Sequence, residues 1–293
     1  MKNLRRIAFY PTAQALIACQ KGFLVKNREE LSYYEGKKKG YTLFPCPMYS
    51  RKIVLSPDGK RAFLQNGLFS AKGFFFELDK PNQRQELELD SGTILLDCCY
   101  SGDASFFYLT RDKSKTSLWK IRDGLREKVL DISSMDDRIG YSRQWNVLIL
   151  FDRRGHFSFV SQGEICFSFL HPGSRKVYPY REGNLLLADS PKGFLLLSRS
   201  GKVLKRMDFL LPSEEKEEIV DFVLLEEKDR IFVLTKRAQK SNIYVFGAKD
   251  FALKEAFLDN KKEVDGIATD GNTISLKSRF GIELFAVRAE RED

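Results

Sequence analysis

The chain has 293 residues and a formal net charge of +9, with 43% hydrophobic, 13% aromatic and 30% charged residues. That composition suits a large buried core under a charged surface and excludes a disordered or low-complexity chain. No apolar run approaches the roughly 18–20 residues of a membrane helix, so no transmembrane segment is expected.

At the start, Met1–Arg6 is basic and Leu16-Ile17-Ala18-Cys19 has the form of a bacterial lipobox, in which Cys19 would carry lipid. Tyr10, Pro11, Thr12 and Gln14 interrupt the apolar stretch such a leader needs, so a cytoplasmic protein is expected, with a lipoprotein anchored through Cys19 as the alternative. The five cysteines, Cys19, Cys46, Cys98, Cys99 and Cys166, have no CxxC spacing and no neighbouring histidine. They read as reduced thiols, with no zinc site.

Further along, Ile53–Leu64 joins two apolar runs through Ser56-Pro57-Asp58-Gly59, a β-hairpin in which Pro57 presets φ and Gly59 tolerates φ > 0. Turn signals then recur about residues 21, 58, 102, 144, 182, 228 and 270, spaced by 37, 44, 42, 38, 46 and 42 residues. A period of about 40–45 residues is that of a four-stranded propeller blade. Within each period an apolar run, a polar loop, a second apolar or aromatic run, another turn and a fourth strand follow one another. The aromatic runs Phe74-Phe75-Phe76 and Phe106-Phe107-Tyr108 suit inner strands buried on both faces.

The expected fold is therefore all-β: a seven-bladed β-propeller of four-stranded antiparallel blades, one domain over 1–293. Its blades fall at about 12–47, 50–90, 93–133, 139–171, 176–211, 219–259 and 264–288 plus 4–10. The last period has three strands of its own, so Leu4–Tyr10 is expected to pair with Ile282–Arg288 and close the ring. Pro212–Glu218 reads as a turn of helix capped by Ser213.

The segment Ile53-Val54-Leu55-Ser56-Pro57-Asp58-Gly59-Lys60 resembles the hairpin that recurs in WD-repeat-like and YVTN-type β-propellers. The other periods keep the spacing without the letters, and no Trp-Asp dipeptide occurs: Lys120 follows Trp119 and Asn146 follows Trp145. The resemblance implies an architecture that hosts many functions, and some propellers carrying this hairpin are lactonases.

For chemistry, only His156 and His171 are present, both in expected loops, where solvated side chains are the reading. No G-x-S-x-G, H-E-x-x-H, P-loop or G-x-G-x-x-G motif occurs. Asp97, Asp221 and Asp265 fall near the starts of first strands, where they could line a channel as a carboxylate ring able to hold a cation; polar channel residues with a structural place only are the leading reading. No catalytic residue, metal or cofactor is assigned.

The charge distribution says more. The loops between second and third strands contain 14 Lys or Arg and 5 Asp or Glu, against 7 and 7 in the turns between first and second strands. A basic face is expected from Arg111, Lys113, Lys115, Arg153, Arg154, Lys236, Arg237, Lys240 and Arg279, and it would attract an anionic partner. The leading function is a non-enzymatic protein-interaction scaffold that docks an acidic protein on this face. The alternatives are a lactonase-like hydrolase with its site at the channel mouth, and binding of an anionic ligand or nucleic acid. Nucleic acid is the weaker of these, because Phe280 is almost the only aromatic in the loops.

Overall fold

The computed structural model describes residues 4–19, 22–35, 38–45, 52–66, 72–113, 115–132, 136–174, 176–180, 185–190, 193–208, 217–225, 228–237, 240–259, 263–269 and 272–287. Most of the helical turn expected at Pro212–Glu218 lies outside them; its last residue, Glu218, opens a strand. The chain divides into two compact units, one of residues 17–172 and one of residues 1–16 with 173–293.

In chain order the strands are β1 (Leu4–Pro11), then β2 (Ala15–Cys19), β3 (Gly22–Lys26), β4 (Glu30–Glu35) and β5 (Lys38–Pro45), which form one sheet. The next sheet holds β6 (Lys52–Leu55), β7 (Arg61–Asn66), β8 (Lys72–Glu77) and β9 (Lys80–Glu88). It is followed by β10 (Thr93–Tyr100), β11 (Phe106–Asp112), β12 (Lys115–Arg122) and β13 (Leu125–Ile132), and by β14 (Arg138–Ser142), β15 (Val147–Phe151), β16 (His156–Ser161) and β17 (Glu164–Leu170).

The second unit contributes β18 (Val177–Tyr180), β19 (Leu185–Ser190), β20 (Gly193–Ser198) and β21 (Val203–Asp208), then β22 (Glu218–Leu225), β23 (Arg230–Arg237), β24 (Lys240–Gly247) and β25 (Leu253–Asp259). Its last sheet takes β26 (Val264–Thr269), β27 (Thr273–Ser278) and β28 (Gly281–Val287), and β1 supplies the fourth strand. β1 runs antiparallel to β28, with Leu4 opposite Val287 and Tyr10 opposite Ile282. Every sheet therefore has four strands, in the order first, second, third, fourth.

Sheets stack face to face because their inner strands are apolar on both sides. In the 17–172 unit one core cluster joins Leu24 and Leu31 to Ile53, Leu64 and Phe76. A second joins Phe63 to Leu95, Phe106 and Tyr108, and a third joins Leu109 and Leu118 to Ile139, Leu150 and Val160. The other unit has two such layers, one about Phe194, Phe222 and Tyr244 and one about Phe232, Val245, Ile274 and Leu284's neighbour Phe285. First strands touch first strands: β6 with β10, β10 with β14, and β22 with β26.

The hairpin that organises the sequence has a physical twin. At Ser56–Arg61 the Ser56 hydroxyl donates to the Asp58 carboxylate and to the Arg61 carbonyl, and Gly59 has φ of 67°. At Ser101–Ser105 the Ser101 hydroxyl donates to Asp103 and to the Ser105 carbonyl, and Ala104 takes the position of Gly59 with φ of 62°. These bonds hold both carboxyls below the ordinary aspartate range, with the serine hydroxyl the largest cause in each. A Cβ is strained at positive φ, so Ala104→Gly is expected to stabilise the protein by about 0.5–1 kcal/mol in urea unfolding. Equal or lower stability of the variant would count against this account of the turn.

Candidate functional site

The nine cations of the expected basic face all stand at hairpins between second and third strands. Arg111, Lys113 and Lys115 flank the turn from β11 to β12, and Arg153 and Arg154 form the turn from β15 to β16. Lys236, Arg237 and Lys240 flank the turn from β23 to β24, and Arg279 lies between β27 and β28. The first five belong to the 17–172 unit and the last four to the other.

These hairpins are tighter than the sequence suggests, and this divides the set. Strand pairing runs to Asp112 opposite Lys115 and to Arg237 opposite Lys240, so several expected loop cations are strand ends. Arg111 is half-buried with its Nε 3.3 Å from the Thr116 hydroxyl, and Lys115 lies 2.7 Å from Asp131. Lys236 pairs with Glu263, and this partner raises its pKa. The side chain of Arg237 lies outside the described residues. Lys113, Arg153, Arg154, Lys240 and Arg279 are exposed, as is Lys115 despite its pairing with Asp131. Arg279 lies 4.6 Å over the ring of Phe280, which is itself 51% exposed.

On the first strands the structure corrects the carboxylate ring. Asp97 of β10 receives Lys52 Nζ of β6 at 2.6 Å on one oxygen and the backbone N–H of Ile139 of β14 at 3.0 Å on the other. Lys52 also donates to the Cys98 carbonyl at 2.8 Å. In the second unit Asp221 of β22 does the same: Lys176 Nζ lies 2.5 Å from one oxygen, and the Ile267 N–H of β26 lies 3.4 Å from the other. Asp97 thus ties the first strands of three successive sheets, and Asp221 ties two first strands to the residue just before a third, β18. A bulge immediately before it, between Leu95 and Asp97 or between Ile219 and Asp221, turns its side chain toward the next strand.

Burial alone would lower the pKa of Lys52 and of Lys176, but neighbouring groups outweigh it and both are raised, by Asp97 foremost for Lys52 and by Tyr178 ahead of Asp221 for Lys176. Asp265 takes no part in such a tie: it is the exposed, bulged residue of β26, and Gly266 occupies the register of Asp97 and Asp221. A carboxylate already neutralised by an ammonium and an N–H is a structural clasp and not a cation ligand. Among the described residues no three His, Cys, Asp or Glu side chains converge as a metal site requires.

A second correction concerns His156, which is not a solvated loop residue. It opens β16, and its Nδ1 lies 2.9 Å from Oδ1 of the fully buried Asp136, in the segment leading into β14. Glu217 stands in the equivalent segment before β22 and accepts from Asn242 Nδ2 at 2.9 Å, from the Tyr244 hydroxyl at 3.0 Å and from Thr235. Both acids brace the chain entering a sheet against the middle strands of that sheet. His171 follows β17, and its N–H donates to the Gly155 carbonyl.

The sequence reading missed Lys52, Lys176 and Asp136. A signal for the lysines existed, since each precedes its aspartate by 45 residues, about one period.

Four cysteines are described, none in a disulfide: Cys98 and Cys99 buried, Cys19 half-buried and Cys166 exposed. Burial pushes the Cys99 thiol far up. In maleimide labelling of the folded protein, Cys166 should react fast and Cys98 and Cys99 only after denaturation. Cys19 ends β2, and no helix among the described residues is long and apolar enough to cross a membrane.

No protein-family model matches the chain, and no curated protein matches it. Solved structures do. The β-propeller domain of Cps50 (Swd1) from Myceliophteria thermophila aligns with a TM-score of 0.70 and 11% identity, covering 97% of this chain and 100% of that domain. This likeness shows the fold: an all-β propeller of four-stranded antiparallel blades. As many as 1145 solved chains match, so the fold names an architecture and no activity.

Proposed function

We propose that this propeller is a non-enzymatic protein-interaction scaffold: one domain whose seven sheets form a ring closed by β1, docking an acidic surface of a partner protein on its hairpin cations. The observation that carries the reading is that equivalent hairpins in four sheets present exposed cations, Lys113, Arg153, Arg154, Lys240 and Arg279. Rim charges of this kind steer and select a partner of opposite sign. The acids that a hydrolase reading would draw on, Asp97 and Asp221, are held by lysines and backbone N–H groups, which favours the scaffold.

The test compares wild type with an Arg153→Glu, Arg154→Glu, Lys240→Glu, Arg279→Glu variant in binding to a poly-glutamate peptide. A second arm offers a single-stranded oligonucleotide. Wild type is expected to bind the peptide at low ionic strength, to lose it as salt rises, and to bind at least about tenfold more tightly than the variant. Equal binding by both proteins, or preference for the oligonucleotide, would sink the acidic-partner reading.

A further inference from the structure

Hairpins between third and fourth strands leave a sheet at the end opposite the hairpins between second and third strands, and their charges differ. Those from β12 to β13, from β16 to β17 and from β24 to β25 all carry acid: Asp123 and Glu127, Glu164, and Asp250 and Glu255. The hairpin from β20 to β21 is different. From Ser198 to Met207 it reads Ser-Arg-Ser-Gly-Lys-Val-Leu-Lys-Arg-Met, with Arg199, Lys202, Lys205 and Arg206 all exposed and no acid before Asp208, the last residue of β21. Among the described residues no carboxylate pairs with Lys202, Lys205 or Arg206.

Between these cations stand two exposed aliphatic side chains, Val203 at 40% and Leu204 at 52%. A bulge sets them together: Leu196 lies opposite Lys205 and Leu197 opposite Val203, so Leu204 is the extra residue. The turn itself is firmly built. The Gly201 N–H donates to the Ser198 carbonyl at 2.9 Å and the Lys202 N–H to the Ser198 hydroxyl at 3.2 Å, while Phe194, Leu195 and Leu197 of β20 are wholly buried. The next hairpin extends the surface. Phe251, between β24 and β25, packs 5.8 Å from Tyr180 and 6.4 Å from Phe194, which fixes that turn beside the β18–β21 sheet. It presents exposed Leu253 with Lys249 and Lys254, the last paired with Asp250.

We propose that the β20–β21 hairpin docks on an anionic membrane surface, with Val203 and Leu204 at the acyl boundary and Arg199, Lys202, Lys205 and Arg206 among the headgroups. Its excess of cations calls for an anionic occupant. The aliphatic pair and the lysines select a bilayer over an acidic protein, because protein interfaces favour aromatic anchors and are depleted in lysine. Aliphatic side chains flanked by cations that can keep their charged heads in water have the composition of an interfacial segment. Each basic residue held at such a surface strengthens binding about fivefold. This surface stands apart from the hairpin cations proposed to dock a protein, so either reading can fail without the other.

Co-sedimentation with phosphatidylcholine vesicles, with and without about 30% phosphatidylserine, tests this. The proteins are wild type, Leu204→Ser, Lys205→Glu with Arg206→Glu, and Arg153→Glu with Arg154→Glu, which changes the net charge equally but elsewhere. All these positions are exposed, and far-UV circular dichroism checks that each variant keeps its fold. Wild type should bind the anionic vesicles alone, and less as salt rises. Lys205→Glu with Arg206→Glu should weaken binding at least about tenfold, and Leu204→Ser at least about threefold. Arg153→Glu with Arg154→Glu should bind like wild type. A poly-glutamate peptide offered in place of vesicles should be bound equally by wild type and Leu204→Ser. Wild type that ignores anionic vesicles, equal losses in the two double variants, full vesicle binding by Leu204→Ser, or a hairpin variant that loses only the peptide would each overturn the proposal.

Discussion

Asp97→Ala is expected to lower the stability of the protein by about 2–3 kcal/mol in urea unfolding. Breaking a fully buried ion pair costs about 3–5 kcal/mol, and the side chain of Lys52 is 34% exposed, so solvent returns part of that loss. The change also strips the Ile139 N–H of its acceptor, which adds about 1 kcal/mol. Asp97→Asn, able to accept from Ile139 but not to neutralise Lys52, should fall between wild type and alanine. Adding Lys52→Met to Asp97→Asn should recover part of the loss, because the uncompensated ammonium is then gone.

The dependence on pH follows from the raised pKa of Lys52. The pair contributes fully below the ordinary lysine value of about 10.4, and its contribution fades as pH rises through the higher folded value. The gap between wild type and Lys52→Met should therefore be constant from neutral pH to about pH 9 and close only above about pH 10. A gap that closes near neutrality would show that the ammonium is not what stabilises the strands.

Phe63→Ala should cost about 3–5 kcal/mol, the range for an enclosed aromatic. Phe63 is 0% exposed, and its ring lies 4.8 Å from Phe75 and 4.6 Å from Phe106 of the next sheet. Its tip occupies the space that a side chain at Gly73 would fill: a Cβ there would come within 2.1 Å of Phe63 Cζ. Gly73→Ala should thus be destabilising in wild type and much less so in Phe63→Leu, a coupling readable in a double-mutant cycle. Additive losses would mean that the two positions do not share one cavity.

What could be read in the sequence was what local chemistry specifies. Pro57, Asp58 and Gly59 announce a turn, apolar runs on either side announce strands, and their repetition carries the grammar of four antiparallel strands. The site was less legible, because its geometry joins residues far apart in the chain. Nothing near Asp97 reveals that Lys52 reaches it, and a lone aspartate at a strand start looks the same whether it awaits a cation or already holds one. His156 was misread for a related reason. Its neighbours Asp152, Arg153, Arg154 and Gly155 are turn residues, but Asp136, its partner, arrives from a different segment. The basic residues stand in hairpins or at the strand ends beside them, but composition could not show that Lys115 and Lys236 are engaged by Asp131 and Glu263.

The pairing of β1 with β28 bears on how the protein is made. Each other sheet is built from consecutive strands and can assemble as it leaves the ribosome, in the N-to-C order in which domains form during synthesis. β1 emerges well before its hydrogen-bonding partner, Gly281–Val287. Until β28 is made, the side chains of Leu4, Ala8 and Tyr10, buried in the folded protein, have no sheet to join. A ribosome that stalls before Gly281 leaves a nascent chain in which β1 has no strand to pair with.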